Sequence, residues 1–238
     1  IALRAAGAEA AIPRPAVFSC SYLRPARFEP VDLEVVALHR GRRSEAFRIS
    51  MTQNGKPVLE ALVRTAAEGD GLDHDVVPAP DVAGPETLKC MDDLVPADAQ
   101  RHAFWKNFEV RTFQSEWVNW ETRKPGEPRH REWYRFQPRA VMTDPFADAG
   151  RLLLLVDTLG WPAAVQPHPG NTFIAPSLDV ACWFHRDGRE SEWLLAEHEC
   201  PLGEDGLLGT TGRIFSRDGQ LLASGGAQLL CVPPPPQG

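Results

Sequence analysis

The chain has 238 residues, of which 43% are hydrophobic and 24% charged, with a formal net charge of −7. A chain of this length and balance buries a real core, so disorder is excluded for most of it, and its acidity argues against a general nucleic-acid binder while leaving room for a local basic patch. Its longest strongly apolar run, Leu-Leu-Leu-Leu-Val at 152–156, falls far short of the ~18 residues of a membrane span.

In chain order, residues 2–11 are Ala-rich and favour a helix that stops at Pro13 and Pro15. Ile1 reads as the middle of that helix, so further residues are expected before it. Alternation from Ala16 predicts a strand, with Val17, Ser19 and Ser21 on one side and Phe18, Cys20 and Tyr22 on the other. Further strands are predicted at 31–38, 46–52 and 57–67, the last two joined by Asn54-Gly55, the strongest short hairpin signal. Residues 68–104 are polar and rich in turn formers, a linker with short helical turns near 97–104. Strand character returns at 108–117 and 133–136, and the charged Pro/Gly-rich stretch 121–131 between them reads as a mobile loop. Asp144-Pro145 is an N-cap followed by proline at the first helical position. Leu152, Leu155, Val156 and Leu159 then recur at helical spacing until Gly160 and Pro162 end or kink the helix. Strands follow at 172–186, 193–199, 207–216 and 221–232, with Asp218-Gly219 as a second hairpin signal, before a Pro-rich tail.

This order occurs twice: a helix, then three or four strands, with an Asn-Gly or Asp-Gly hairpin before the last. Residues 49–59 parallel 214–222, and Tyr22-Leu23-Arg24 parallels Phe184-His185-Arg186. The pattern predicts an α+β tandem repeat in which sheet packs on helix.

Asp157 stands near the end of the long helix, where a carboxylate opposes the macrodipole. Packed on a sheet it would also be desolvated, which makes it a candidate general base; a solvated helix residue is the alternative. Ser177 enters a strand with nothing nearby to activate it as a nucleophile, so it either positions a water or substrate oxygen or is a plain turn serine. Gln228 lies in an apolar final strand after Gly225-Gly226 and needs a partner, or else marks a β-bulge. No G-x-S-x-G elbow, P-loop or dinucleotide fingerprint occurs. The five cysteines are widely spaced without a C-x-x-C, and His185 and His198 fall on separate strands without ligand spacing, so neither disulfides nor a metal are expected, and the setting reads as a reducing cytoplasm.

The segment from Asp157-Thr-Leu-Gly-Trp-Pro162 to His168, followed by Ser177-Leu-Asp179 and Trp183-Phe-His-Arg186, resembles the bacterial acyl-CoA thioesterase II family. So do Arg217-Asp-Gly219 with the closing Gln228, and Tyr22-Leu-Arg-Pro25 with Gln53-Asn-Gly-Lys-Pro57. The resemblance runs from the first helix to the last strand and thins between about 68 and 135. It implies a double hotdog, two tandem repeats each with a central helix wrapped by a curled antiparallel sheet. The N-terminal hotdog would span 1–70 and lack its first residues, 71–104 would be a linker, and 105–238 would form the C-terminal hotdog with the site. It implies hydrolysis of acyl-CoA to fatty acid and CoA, with Asp157, Ser177 and Gln228 in the family's Asp, hydroxyl and Gln positions. Gln228 stands one residue later than the family pattern has it, and Ser replaces the commoner Thr. By this resemblance no cofactor, metal or covalent intermediate is needed: Asp157 deprotonates a water held by Ser177 and Gln228, backbone N–H groups stabilise the oxyanion, the acyl chain lies in an apolar tunnel, and arginines meet the CoA phosphates. A non-catalytic acyl-CoA binder and a hotdog hydratase or dehydratase are the alternatives, the latter disfavoured by the lack of an Asp-x-Asn-Pro-x-His signature. A homodimer or higher homo-oligomer that covers sheet edges is the expected assembly.

Overall fold

A computed structural model describes residues 1–96, 102–114, 121–138 and 142–234. The expected turns at 97–101, the end of the strand beyond 114 and the tip of the Pro-rich tail lie outside the described residues.

The N-terminal part contains α1 (Ala2–Glu9), β1 (Pro15–Tyr22), β2 (Asp32–Arg40), β3 (Ser44–Gln53) and β4 (Lys56–Ala66). Asn54 and Gly55 take φ of 51° and 72°, the backbone that a tight β3–β4 hairpin demands and that Asn and Gly adopt at least cost. Three further strands follow: the two-residue β5 (Lys89–Cys90), β6 (Phe108–Thr112) and β7 (Arg129–Phe136). The long helix α2 (Pro145–Thr158) and the short α3 (Gly160–Ala164) precede β8 (Asp179–Phe184), β9 (Leu194–Glu204), β10 (Leu207–Ser216) and β11 (Leu221–Leu230).

These strands form one antiparallel sheet in the order β2-β3-β4-β1-β8-β11-β10-β9-β7-β6-β5. The middle of it is mirrored: β2-β3-β4-β1 on one side of the β1–β8 junction answers β9-β10-β11-β8 on the other. The junction is centred on Ser19 opposite Ala181.

The side chain of Asp144 caps α2 by accepting from the Phe146 N–H at 2.9 Å, and Pro145 takes the first position. Phe146, Ala149, Leu152, Leu155, Val156 and Leu159 form the helix's buried stripe. The Leu, Val and Phe side chains of this stripe each contribute about 1.5–3 kcal/mol on leaving water. The stripe lies over β8, β10 and β11 in the main core, with α1 alongside.

Four expectations are corrected. The α2–α3 break falls at Leu159, and Gly160 and Pro162 belong to the short second helix. In the expected strand at 172–186, only Asp179–Phe184 is a strand, while Ile174 and Ser177 make isolated bridges to Val232 and Leu229; Pro176 lacks the N–H that a continuous ladder would need. The linker contributes β5, which pairs with β6. The loop at 121–128 is tied down: the Arg123 guanidinium, 8% exposed, donates to the Val165 and Gln166 carbonyls at 2.7 and 2.8 Å. A cation there satisfies carbonyls at the end of α3 and suits the helix dipole.

Candidate active site

Asp157 is on the last turn of α2, where β1 and the entry to β8 meet beneath it. Both carboxylate oxygens are held by hydroxyls. Ser177 Oγ donates to Oδ1 at 2.8 Å, and Tyr22 OH donates to Oδ2 at 2.8 Å. Ser177 is fixed by its bridge to Leu229 and by the flanking Leu178 N–H, which donates to the Gln228 carbonyl at 2.7 Å. Tyr22 is the last residue of β1, on the face that carries the buried Phe18 and Cys20, and its N–H donates to the Leu178 carbonyl at 2.8 Å.

Burial raises the Asp157 carboxyl above the ordinary aspartate value, and the two hydroxyl donors oppose that rise without cancelling it. Tyr22 is pushed up, by burial first and by the neighbouring Asp157 charge second, so it stays a neutral donor. The Cys20 thiol beside them is pushed up to about 12, chiefly by burial, and is no nucleophile. Asp157 keeps further lone pairs for a water, since a carboxylate offers about four acceptor sites.

Asp157 and Ser177 therefore come together as expected from the sequence, and Gln228 does not join them. The expected bulge is not at Gly225-Gly226: β11 pairs with β10 without interruption from Gly225 to Gln228, and the ladder's register shift lies upstream, at Leu222, between the Ile214–Ala223 and Phe215–Leu221 pairs. A Cβ on Gly225 would meet Val156 of α2, and Ala227 is buried in the same core. Strict alternation turns Gln228 to the other face of the sheet, where its Oε1 lies beside Gly209. Its backbone N–H donates to Asp179 Oδ1 at 3.1 Å. Ala227 thus occupies the helix-facing place that the resemblance assigns to the Gln.

Tyr22 is the side chain on the Asp157 carboxylate that sequence reasoning did not single out as a site residue. Its signal was present in the Phe18, Cys20, Tyr22 alternation and in the Tyr22-Leu-Arg-Pro25 run. What the sequence alone does not provide is the pairing of β1 with β8, which joins residues some 160 positions apart.

A second polar group lies on β7 and β9, the strands that α3 packs against. His130 Nε2 sits 3.1 Å from Tyr134 OH and 3.3 Å from Glu132 Oε2, and Tyr134 donates to Glu132 at 2.8 Å. His198, paired with His130 across β7 and β9, is held neutral by burial and by His130, its pKa lowered to about 3. Among the described residues no group of three or more His, Cys, Asp or Glu is arranged to hold a metal ion, and no helix is long and apolar enough to cross a membrane.

An antiparallel sheet with its helices laid along one face, and a strand-braced carboxylate at the end of the long helix, defines a hotdog-fold protein. A protein of unknown function with a hot dog fold from Alicyclobacillus acidocaldarius is similar over 93% of this chain and 80% of its own, at 18% identity and a TM-score of 0.71. Residues 1–66 match the model of the acyl-CoA thioesterase N-terminal domain, and residues 78–232 match that of the acyl-CoA thioesterase C-terminal domain. The chain belongs to the acyl-CoA thioesterase family, and it is a thioester hydrolase acting on acyl-CoA. The tesB protein of Mycobacterium avium subspecies paratuberculosis is similar at 28% identity over 98% of this chain and 84% of that one, with a TM-score of 0.75. The acyl-CoA thioesterase II TesB2 of Mycobacterium marinum is similar at 22% identity over 93% and 81%, with a TM-score of 0.76.

Proposed function

We propose that this thioesterase works by general-base activation of water at Asp157, with Ser177 and Tyr22 as the groups that hold the base. The observation that carries the proposal is the desolvated carboxylate whose two oxygens are each pinned by a hydroxyl at 2.8 Å. In the reaction, Asp157 removes a proton from a water as its oxygen attacks the thioester carbonyl carbon. The tetrahedral intermediate collapses with cleavage of the C–S bond, and the CoA thiolate takes the proton back from Asp157. The products are a fatty acid and CoA, and no covalent enzyme intermediate forms. A base with a raised pKa suits this task, because proton transfer is most effective when the base's pKa approaches the working pH.

The mirrored strand order supports a double hotdog of two tandem repeats, an N-terminal unit at 1–70 and a C-terminal unit at 105–238 joined through 71–104. The exposed outer strand β2 supports a homodimer that covers this edge. We assign the protein to the cytoplasm on its free, unpaired cysteines.

Release of free thiol from short, long, branched and aromatic acyl-CoAs tests the mechanism and gives the chain preference. Asp157→Asn is expected to lose about 10²–10⁴-fold in kcat, the usual worth of a general base, while folding normally. A variant that turns over within about threefold of wild type would remove Asp157 from the chemistry.

A further inference from the structure

The β1–β8 junction relates two ends of α2. The shift along the chain that carries Ser19 onto Ala181 carries Tyr22 onto Phe184 and Pro15 onto Ser177. At this counterpart position, next to the first turns of α2 rather than Asp157, lies a cavity of about 980 Å³ lined by both Pro15 and Phe184. That volume is in the range of sites for small organic ligands. The hydroxyls that hold Asp157 are missing here, replaced by a proline ring and a phenyl ring. The acids on the wall are engaged or exposed: Asp148 accepts from Gly188 N–H at 2.9 Å and pairs with Arg151, Asp187 accepts from Arg189 at 2.7 Å, and Glu68 is solvent-exposed. The cavity therefore lacks the means of the Asp157 site to activate water.

What it has instead is cationic. Arg14, His185, Arg186 and Arg189 all line it, in a chain whose net charge is −7. Arg14 makes no ion pair among the described residues. Arg186 reaches the exposed Asp75 at 3.0 Å, Arg189 is held by Asp187, and His185 Nε2 lies 2.8 Å from Ser224 Oγ. Burial and the adjacent Arg186 lower the His185 pKa, so the charge comes from the arginines. Ile12, Leu152 and Phe184 supply an apolar wall beside them.

We propose that this cavity is a second, non-hydrolytic site for an anionic amphiphile, with its chain on Ile12, Leu152 and Phe184 and its phosphate or carboxylate on Arg14, Arg186 and Arg189. The class of ligand rests on the thioesterase function and the two-repeat reading above. Two molecules carry this chemistry, the acyl-CoA substrate and the fatty acid product.

The test is calorimetric titration of the Asp157→Asn chain with dodecyl-CoA thioether, with free CoA and with dodecanoate, alongside the same chain carrying Arg14→Glu and Arg186→Glu. Both arginines are exposed, so the pair is expected to leave the fold intact, and circular dichroism checks this. The parent should bind two equivalents of the thioether, and the doubly reversed chain one, the lost site weakening at least tenfold. Dodecanoate competing for the lost site identifies the fatty acid as its ligand, and CoA competing for it identifies the nucleotide part. In the wild-type background the two reversals should leave kcat on dodecanoyl-CoA unchanged. Equal stoichiometry in both chains overturns the inference. So does loss of hydrolysis together with binding, since the cavity would then be the catalytic entrance. Wild type that hydrolyses no acyl-CoA, yet loses thioether binding on arginine reversal, refutes the proposed mechanism and leaves the second site standing.

Discussion

Tyr22 and Ser177 hydrogen-bond to the ionised form of Asp157, so each lowers its pKa against the burial that raises it. Tyr22→Phe removes one of these donors and leaves the burial. The acid limb of the kcat–pH profile is therefore expected to move to higher pH, with the plateau reduced; an unmoved limb would mean that Tyr22 does not touch the working base. Ionised Asp157 also costs the folded state stability. Because its folded pKa lies above the unfolded value, it favours folding only in its protonated form, and that contribution is lost as pH rises through the folded pKa. Asp157→Asn should thus melt higher than wild type at pH 7, with the gap closing as pH falls toward the ordinary aspartate value; a lower melting temperature at pH 7 would contradict this. Gln228 faces away from the site, so Gln228→Ala should keep kcat within about threefold, under about 0.7 kcal/mol of barrier. A loss of 100-fold or more in the same assay would put its carboxamide back on the reacting water. The meeting of Asp157 and Ser177 was legible only through the family resemblance, whereas the facing of Gln228 was not legible at all. Its face depends on register parity, which a single residue inverts and which the register shift at Leu222, followed by regular pairing from Gly225 to Gln228, decides.

At the scale of elements, local chemistry was the readable part. Asp144-Pro145 started a helix and Asn54-Gly55 turned a hairpin because caps and turns are decided by a few adjacent residues. The break between α2 and α3 was misplaced by a residue because contact with the sheet sets it. A Cβ on Gly160 would stand 2.6 Å from Thr210 Oγ1, so α3 approaches β10 only with glycine there. Gly160→Ala should destabilise the protein by about 1–3 kcal/mol, the usual cost of overpacking, read as a shifted denaturation midpoint; a neutral result would show that α3 is free to back away. The loop expected to be mobile is held by Arg123, and nothing local in its sequence signals that the bond partners are carbonyls some 40 residues later.

Across the whole molecule, two similar runs of residues were visible in the sequence, while the strand order that joins them was not. β1 meets β8 and β7 meets β9 through contacts distant in sequence, and periodicity carries no information on which strands become neighbours. At the junction, Tyr22 of the N-terminal part donates to Asp157 of the C-terminal part, the base of the proposed mechanism. Loosening of either part is therefore expected to reduce turnover before the protein unfolds. A homodimer should sediment at twice 26.3 kDa, and a proline placed at a β2 position facing the open edge should bring it to the monomer mass; an unaltered mass would exclude that edge as the interface.

The central claim is that Asp157 delivers water to the thioester and does not attack it. A single turnover of acyl-CoA by excess enzyme in ¹⁸O-labelled water separates the two directly. The account predicts one ¹⁸O atom in each fatty acid released and none in the peptide that carries Asp157. Unlabelled acid, with ¹⁸O in the Asp157 carboxylate, would mean a covalent anhydride and would contradict it.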